Sequence, residues 1–352
     1  MAPEVTMTGY MREDEDAAVR MLVEKLPPCE REGAYAGRVR RWRWQFYENP
    51  NNPDGKPLIW VARVDGRFAG MSCSVPVSLR TPHGLRPGKW SVDYVVDPGM
   101  RGLGIGRKVL TCFTSHPAVG LAIGWTPVAG RVAFKVGFKL VQGFTNATLA
   151  LSRCRLAIEL AKTGRRRDLL RLAGVFLKRI PGSGKGSLPV DIMRELPEGT
   201  DELWGQVAAR YGFCVDRDRK YLQWRFVSHP THEYHFVRAG GPGTPAGLAV
   251  CRLTGQTPPL GIISELIVDP ERQDVLVTLL DAMVGFLKAK GAYAVDVGLP
   301  PALASRVLER YPCSLAQPLA MIVSGSDKDA EEAGILSPER WYVSRSDSDQ
   351  DY

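Results

Sequence analysis

The 352 residues contain no apolar run approaching the ~20 that a membrane-spanning helix requires, which argues against an integral membrane protein. Glu13, Asp14, Glu15 and Asp16 stand where a secretory leader would carry lysine or arginine, so export is not expected. The seven cysteines, Cys29, Cys73, Cys112, Cys154, Cys214, Cys251 and Cys313, are odd in number and scattered, with no C-x-x-C pair. They suit reduced thiols in a cytoplasmic protein better than a disulfide or zinc framework. Of five histidines, His229, His232 and His235 cluster, but they lack the H-E-x-x-H spacing. On the predicted strand 232 and 235 point to opposite faces, so no metal is expected. Two nucleotide fingerprints are also missing: Arg107 breaks a G-x-G-x-x-G, and Arg179 and Gly186 break a Walker loop around Lys185.

The composition is that of a globular protein, 44% hydrophobic and 24% charged, and the length predicts more than one domain. The net charge of +8 points to nucleic acid only until it is located. Residues 151–187 hold ten lysines and arginines against Glu159 and Asp168, and the remainder of the chain sums to zero. No nucleic-acid partner is therefore expected. The basic segment reads as two short amphipathic helices, with Leu156, Ile158, Leu160, Leu169, Leu172, Val175 and Leu177 among the cations. Peripheral contact with an acidic membrane through 151–187 is the less favoured reading of it, behind a solvated charged face.

One order of signals occurs twice. Trp44 to Pro50 parallels Trp224 to Pro230, and each stretch is followed by two apolar runs joined by a turn, with Asp65-Gly66 marking the first hairpin. A short strand ending in Val-Asp-Pro follows, Asp93–Pro98 and Glu265–Pro270, then helical periodicity over 103–115 and 273–289. Another strand, a Gly-x-x-Pro turn (Gly124 to Pro127, Gly298 to Pro301) and a second helix complete each copy. The expected fold class is α+β, an internal duplication with mixed central sheets flanked by helices. The expected boundaries are 1–150, a basic linker at 151–187, a second copy at 188–326 and a tail at 327–352.

The copies differ most after Val-Asp-Pro. Arg101, Gly104 and Gly106 of the first fall opposite Gln273, Leu276 and Thr278 of the second. Glycines leave backbone N–H groups uncovered, and a helix start adds unpaired donors and a partial positive charge. Together they form a site for a phosphate or pyrophosphate, beside which Arg101, Arg107 and Lys108 add formal charge.

Arg101-Gly102-Leu103-Gly104-Ile105-Gly106, between a strand and an amphipathic helix, resembles motif A of the GNAT superfamily of acyl-CoA-dependent N-acyltransferases. The resemblance covers residues 1–150 well and 188–326 as a degenerate copy. It implies two tandem GNAT-like domains. Arg101, Gly102, Leu103, Gly104, Ile105, Gly106 and Arg107 would hold the coenzyme A pyrophosphate, and Tyr94, Val95 and Val96 the pantetheine arm. The implied co-substrate is acetyl-CoA or another acyl-CoA, and the implied acceptor a small-molecule primary amine. Tandem relatives acting on amino sugars suggest an amino sugar, also in nucleotide-linked form. A non-catalytic acyl-CoA sensor or scaffold and an aminoacyl transferase are the alternatives.

Acyl transfer to an amine needs a base for its proton and a donor for the developing oxyanion. Asp93, its counterpart Glu265, and His229 are the candidate bases, and an N–H near Val95 or Val96 the candidate oxyanion donor. The tyrosine that many relatives place before a Gly-Phe pair is replaced, since the segment reads Ala133-Phe134-Lys135-Val136-Gly137-Phe138. Tyr94 is the candidate substitute acid. Arg217 and Arg225 read as a phosphate clamp for a nucleotide acceptor or as surface arginines, and Trp42, Trp44, Trp60 and Trp224 as core. The carboxyl end, from Trp341 to Asp349, reads as a frayed tail or as a strand folding back toward the acceptor.

Overall fold

The computed structural model describes residues 3–24, 33–52, 54–175, 188–311, 315–324 and 334–348. In chain order its earlier elements are β1 (Val5–Gly9), α1 (Glu15–Val23), α2 (Ala34–Phe46), β2 (Leu58–Val64), β3 (Arg67–Thr81), β4 (Gly84–Val96), α3 (Ile105–Ser115), β5 (Val119–Ile123), α4 (Pro127–Lys135) and β6 (Lys139–Ala150). Helices α5 (Arg153–Lys162) and α6 (Arg166–Val175) follow. The later elements are β7 (Val190–Met193), α7 (Thr200–Ala208), β8 (Cys214–Val215), α8 (Arg219–Leu222), β9 (His235–Gly241), β10 (Thr244–Leu253), β11 (Gly261–Ile267), α9 (Gln273–Ala289), β12 (Ala294–Leu299), α10 (Pro301–Arg310) and β13 (Leu315–Ser324).

The chain divides into two compact units that do not simply halve it. The first comprises Met1–Val141, Ser228–Thr231 and Met321–Leu336, and the second the rest. In the first unit the strands run β1-β2-β3-β4-β5-β13, antiparallel except for the parallel β4–β5 pair. In the second they run β7-β9-β10-β11-β12-β6, again with one parallel pair, β11–β12. Strand β6 follows α4 in sequence, yet its residues Thr145–Ala150 pair in the second unit. Strand β13 follows α10, yet Met321–Ser324 pair in the first.

Local chemistry accounts for the element boundaries. Asp65 and Gly66 both take positive φ, 48° and 78°, as a two-residue hairpin turn requires. Thr126 caps α4 by accepting from the Ala129 N–H at 3.2 Å, and Pro127 opens the helix without a wasted donor. In the second unit α9 buries Val275, Leu279, Met283 and Leu287, spaced for one helix face, against Val237, Ala249, Ile263 and Val295 of the sheet. Full burial of each such side chain is worth about 1.5–3 kcal/mol. In the first unit Ile105 and Val109 of α3 pack on Ala62, Val64 and Ala69, while Phe113 stacks on Phe138 at 5.7 Å between ring centres. All five described cysteines are free thiols.

Lys89 of β4 is fully buried, its ammonium donating to the carbonyls of Ala118 at 2.5 Å and His116 at 3.2 Å. Burial pulls its pKa down to about 8. The unfolded chain keeps this proton to about pH 10.4, so between those values it binds more protons than the native state. Stability contributed by Lys89 therefore rises with pH across that window, by at most about 1.4 kcal/mol per unit. Urea midpoints of wild type and Lys89→Met, compared at pH 7 and 9.5, should show the wild type gaining on the variant at the higher pH. A constant difference would contradict the burial argument.

Candidate active site

Strands β4 and β5 pair only at Gly88–Val119, Lys89–Gly120 and Trp90–Leu121. Beyond that point β4 continues to Val96 along β3, while β5 continues to Ile123 along β13. Two parallel strands held by different neighbours and no longer bonded to each other leave a wedge. The residues from Ser91 to Val96 line its β4 side with backbone groups that have lost their β5 partner.

A β-bulge marks the same place. Cys73 pairs with Val92 and Met71 with Val95, so Asp93 and Tyr94 together stand opposite Ser72. Asp93 takes φ +46°, a left-handed conformation that aspartate tolerates better than most residues. Its side chain is half-buried, and among the described residues it has no ion-pair partner. The bulge thus sets a carboxylate at the point where the strands part.

The chain then turns through Pro98–Met100, where the Asp97 carboxylate accepts from the Gly99 N–H at 2.8 Å, and enters α3. Gly104 is the N-cap at φ +73° and offers no capping side chain, and Gly102 stands at φ +90°. The first-turn amides of α3 therefore have no intrahelical acceptor and no side-chain cap. The space where a Cβ of Gly104 would stand is open to 4 Å. Gly106 has a different cause, since a Cβ there would meet the Tyr94 hydroxyl at 2.3 Å. Its missing side chain accommodates the tyrosine.

Tyr94 accordingly lies over the start of α3, packed among apolar residues that include Ile105, Val109, Leu110 and Phe113. Burial raises its pKa to about 12, so the hydroxyl keeps its proton at neutral pH. In the segment that lacks the tyrosine of the resembled motif, Ala133 is buried and Phe134 exposed. Among the remaining sequence-predicted residues of the loop, Ile105 is buried in the core while Arg101, Gly102 and Arg107 are not buried. Val95 is buried and Val96 half-buried. His229 lies edge-on to Trp44 of α2 at 4.5 Å between rings, with Nδ1 accepting from the Thr231 N–H at 3.3 Å. His232 lies against Tyr234, and His235 against Phe286.

The second unit repeats the divergence. Strands β11 and β12 pair at Gly261–Val295, Ile262–Asp296 and Ile263–Val297, and a bulge at Ser264 follows. Here the wedge is filled by the chain's own carboxyl-terminal segment. The Ser346 N–H donates to the Ser264 carbonyl at 2.9 Å, and the Arg345 nitrogen lies 3.0 Å from where a Cβ of Gly298 would stand. Trp341 to Ser344 and Ser346 to Ser348 are all buried, which removes the frayed tail, one of the two readings of this segment; residues 349–352 lie outside the described ones.

A charged network holds that segment. Fully buried Arg217 donates to Glu265 at 3.1 Å, Asp347 at 2.7 Å, Ser344 at 3.2 Å and the Val215 carbonyl at 2.7 Å. Burial alone would lower the Arg217 pKa, but Asp347 and Glu265 hold it well above its ordinary value. Glu265 also accepts from Tyr342 at 2.5 Å and Ser346 at 2.8 Å, so both its oxygens are bound within the chain. Such a carboxylate holds the terminal segment, a correction to its reading as a base. Arg217 and Arg225 likewise depart from expectation, being neither surface residues nor a phosphate clamp. Arg225 donates to the carbonyls of Ser346 and Ser348 at 2.6 and 3.1 Å. The Walker-like stretch around Lys185 lies outside the described residues.

Residues 19–114 match the family model described as Acetyltransferase (GNAT) family. Among solved structures, a GCN5-related N-acetyltransferase from Anabaena variabilis aligns with a TM-score of 0.61 at 11% identity, covering 91% of this chain and 72% of that one. Another, from Kribbella flavida, gives 0.54 at 14% identity, with 91% and 71% covered. N-myristoyltransferase of Saccharomyces cerevisiae with bound myristoyl-CoA gives 0.54 at 10% identity, with 91% and 82% covered. At these identities the likeness is one of fold. No curated protein sequence matches the chain.

Proposed function

We propose that this chain, a member of the GNAT superfamily, transfers an acyl group from an acyl-CoA to a primary amine, using the open wedge of its first unit. The observation that carries this reading is the contrast between the wedges: in one β4 parts from β5 beside a bare helix start, and the other is filled by Ser344–Ser346. One acyl-CoA per chain is the consequence. The matching strand order and bulges of the two units support an internal duplication in which the second copy gave up its coenzyme site.

In this reading the pyrophosphate rests on the amides of Gly102–Arg107 with Arg101 beside it, and the pantetheine runs along Tyr94–Val96. A neutral amine attacks the thioester carbonyl and its proton passes to Asp93. The developing oxyanion is met by a backbone N–H near Val95 or Val96, and the C–S bond breaks. Coenzyme A leaves as a thiolate, which a thiol pKa of about 8.5 permits without a dedicated acid. An acetyl group and an amino-sugar acceptor are the simplest substrates consistent with the resemblance. With Arg217 and Arg225 committed to the carboxyl-terminal segment, a nucleotide-linked acceptor has less support than a free one.

Asparagine at position 93 retains the tolerance of positive φ and removes the base. Asp93→Asn should slow amine-dependent thiol release by about 10²–10⁴-fold with acyl-CoA binding unchanged. A rate equal to wild type would remove Asp93 from the reaction. The missing tyrosine before Gly137-Phe138 favours a second reading, a non-catalytic acyl-CoA sensor. Tight binding with no thiol released across a panel of amines would establish it.

A further inference from the structure

We infer that the hairpin of α5 and α6 is a docking face for an anionic bilayer surface. The two helices carry six arginines and lysines, with Arg165 between them as a seventh, against two carboxylates, Glu159 and Asp168. Their inner faces are accounted for: Leu156, Leu160 and Leu172 pack with Ala150, Ala294 and Leu315. Their outer faces carry an aliphatic side chain each, Ile158 at 48% exposure and Leu170 at 75%, the highest among the exposed large hydrophobics of the described residues.

Around each aliphatic residue stand cations at helical neighbour spacing. Arg155 and Lys162 bracket Ile158, and Arg167 lies one turn before Leu170. The carboxylates are taken by Lys162, Arg165 and Arg171, which leaves Arg155 and Arg167 as the uncompensated cations of this face. Glu159 is taken by Lys162 at 2.9 Å. Asp168 is buried, paired with Arg165 at 2.8 Å and Arg171 at 3.6 Å and accepting from Gln317 at 3.2 Å. Among the described residues neither Arg155 nor Arg167 has an ion-pair partner, and both are exposed.

The combination selects the occupant. A polyanion such as nucleic acid would engage the arginines but gain nothing from Ile158 and Leu170. A bilayer offers phosphate headgroups to the cations and, beneath them, an apolar phase for the aliphatic tips. Arginine stems can lie along the interface while their guanidiniums stay at headgroup level.

The test is co-sedimentation of the full chain with phosphatidylcholine vesicles, with and without phosphatidylglycerol, at low salt. Wild type should pellet with the anionic vesicles and not with the zwitterionic ones. Arg155→Gln/Arg167→Gln should weaken partitioning about thirtyfold, at about fivefold per charge. Ile158→Ser/Leu170→Ser keeps the net charge and should weaken it about tenfold or more. All four positions are exposed, and circular dichroism confirms that the variants fold. No pelleting with anionic vesicles would overturn the inference. So would unchanged binding in the serine pair, or binding of duplex DNA that the serine pair retains while vesicles are left unbound.

Discussion

The Arg101→Ala/Gly104→Leu variant should bind coenzyme A about 10²–10³-fold more weakly than wild type while remaining folded. Two losses combine in it. Removing the guanidinium deletes a charge-assisted contact worth about 1.5–3 kcal/mol. A leucine at position 104 places its side chain in the open space before the first-turn amides of α3, where the diphosphate is proposed to rest. The same substitution forces a branched side chain into φ +73°, costing about 1–2 kcal/mol of stability, so a modest fall in Tm accompanies the lost binding. Calorimetric titration checks it. Equal affinity in the two proteins would remove the glycine loop from the coenzyme site.

The largest effect on stability is expected at Arg217. Its replacement by methionine leaves Glu265 and Asp347 facing one another's charge at 0% and 1% exposure, with the cation gone. Breaking a buried pair in this way costs about 3–5 kcal/mol, because the carboxylates stay desolvated without compensation. Asp347 is already pushed above the usual carboxylate range by burial, and without Arg217 it would be pushed further. The triple variant Arg217→Met/Glu265→Gln/Asp347→Asn should recover a large part of the loss, since it removes the charges together. Urea midpoints of the two variants separate this from simple loss of packing, in which case the triple variant would be no more stable than the single one.

Helices and turns with local causes were readable in the sequence. The periodicity of 273–289 coincides with α9, and Asp65-Gly66 forms the hairpin turn. The apolar pattern marks only the end of the strand before the glycine loop. β4 begins at Gly84, nine residues before Asp93, but Gly84, Pro87, Gly88 and Lys89 interrupt the apolar alternation that marks a strand. The bulge at Asp93 further shifts the alternation between the two halves of β4.

The parts that escaped depend on distant pairing. Arg217 read as a surface residue or phosphate ligand because its partner Asp347 lies 130 positions away, and no local pattern announces a buried cation. The filled second wedge escaped for the same reason, since a short run of serines and charges at a chain end looks solvated until its partners are known. In the sequence Gly106 looks like its neighbours, bare backbone for a ligand, whereas its immediate cause is the Tyr94 hydroxyl.

A crystal structure of the full chain with coenzyme A bound is the most direct test of the central claim, that the first wedge alone receives the thioester. The account predicts pantetheine along Tyr94–Val96, diphosphate on the amides of Gly102–Arg107, and Ser344–Ser346 still in place beside Ser264. Coenzyme A lying beside Ser264 with the carboxyl-terminal segment displaced would contradict it.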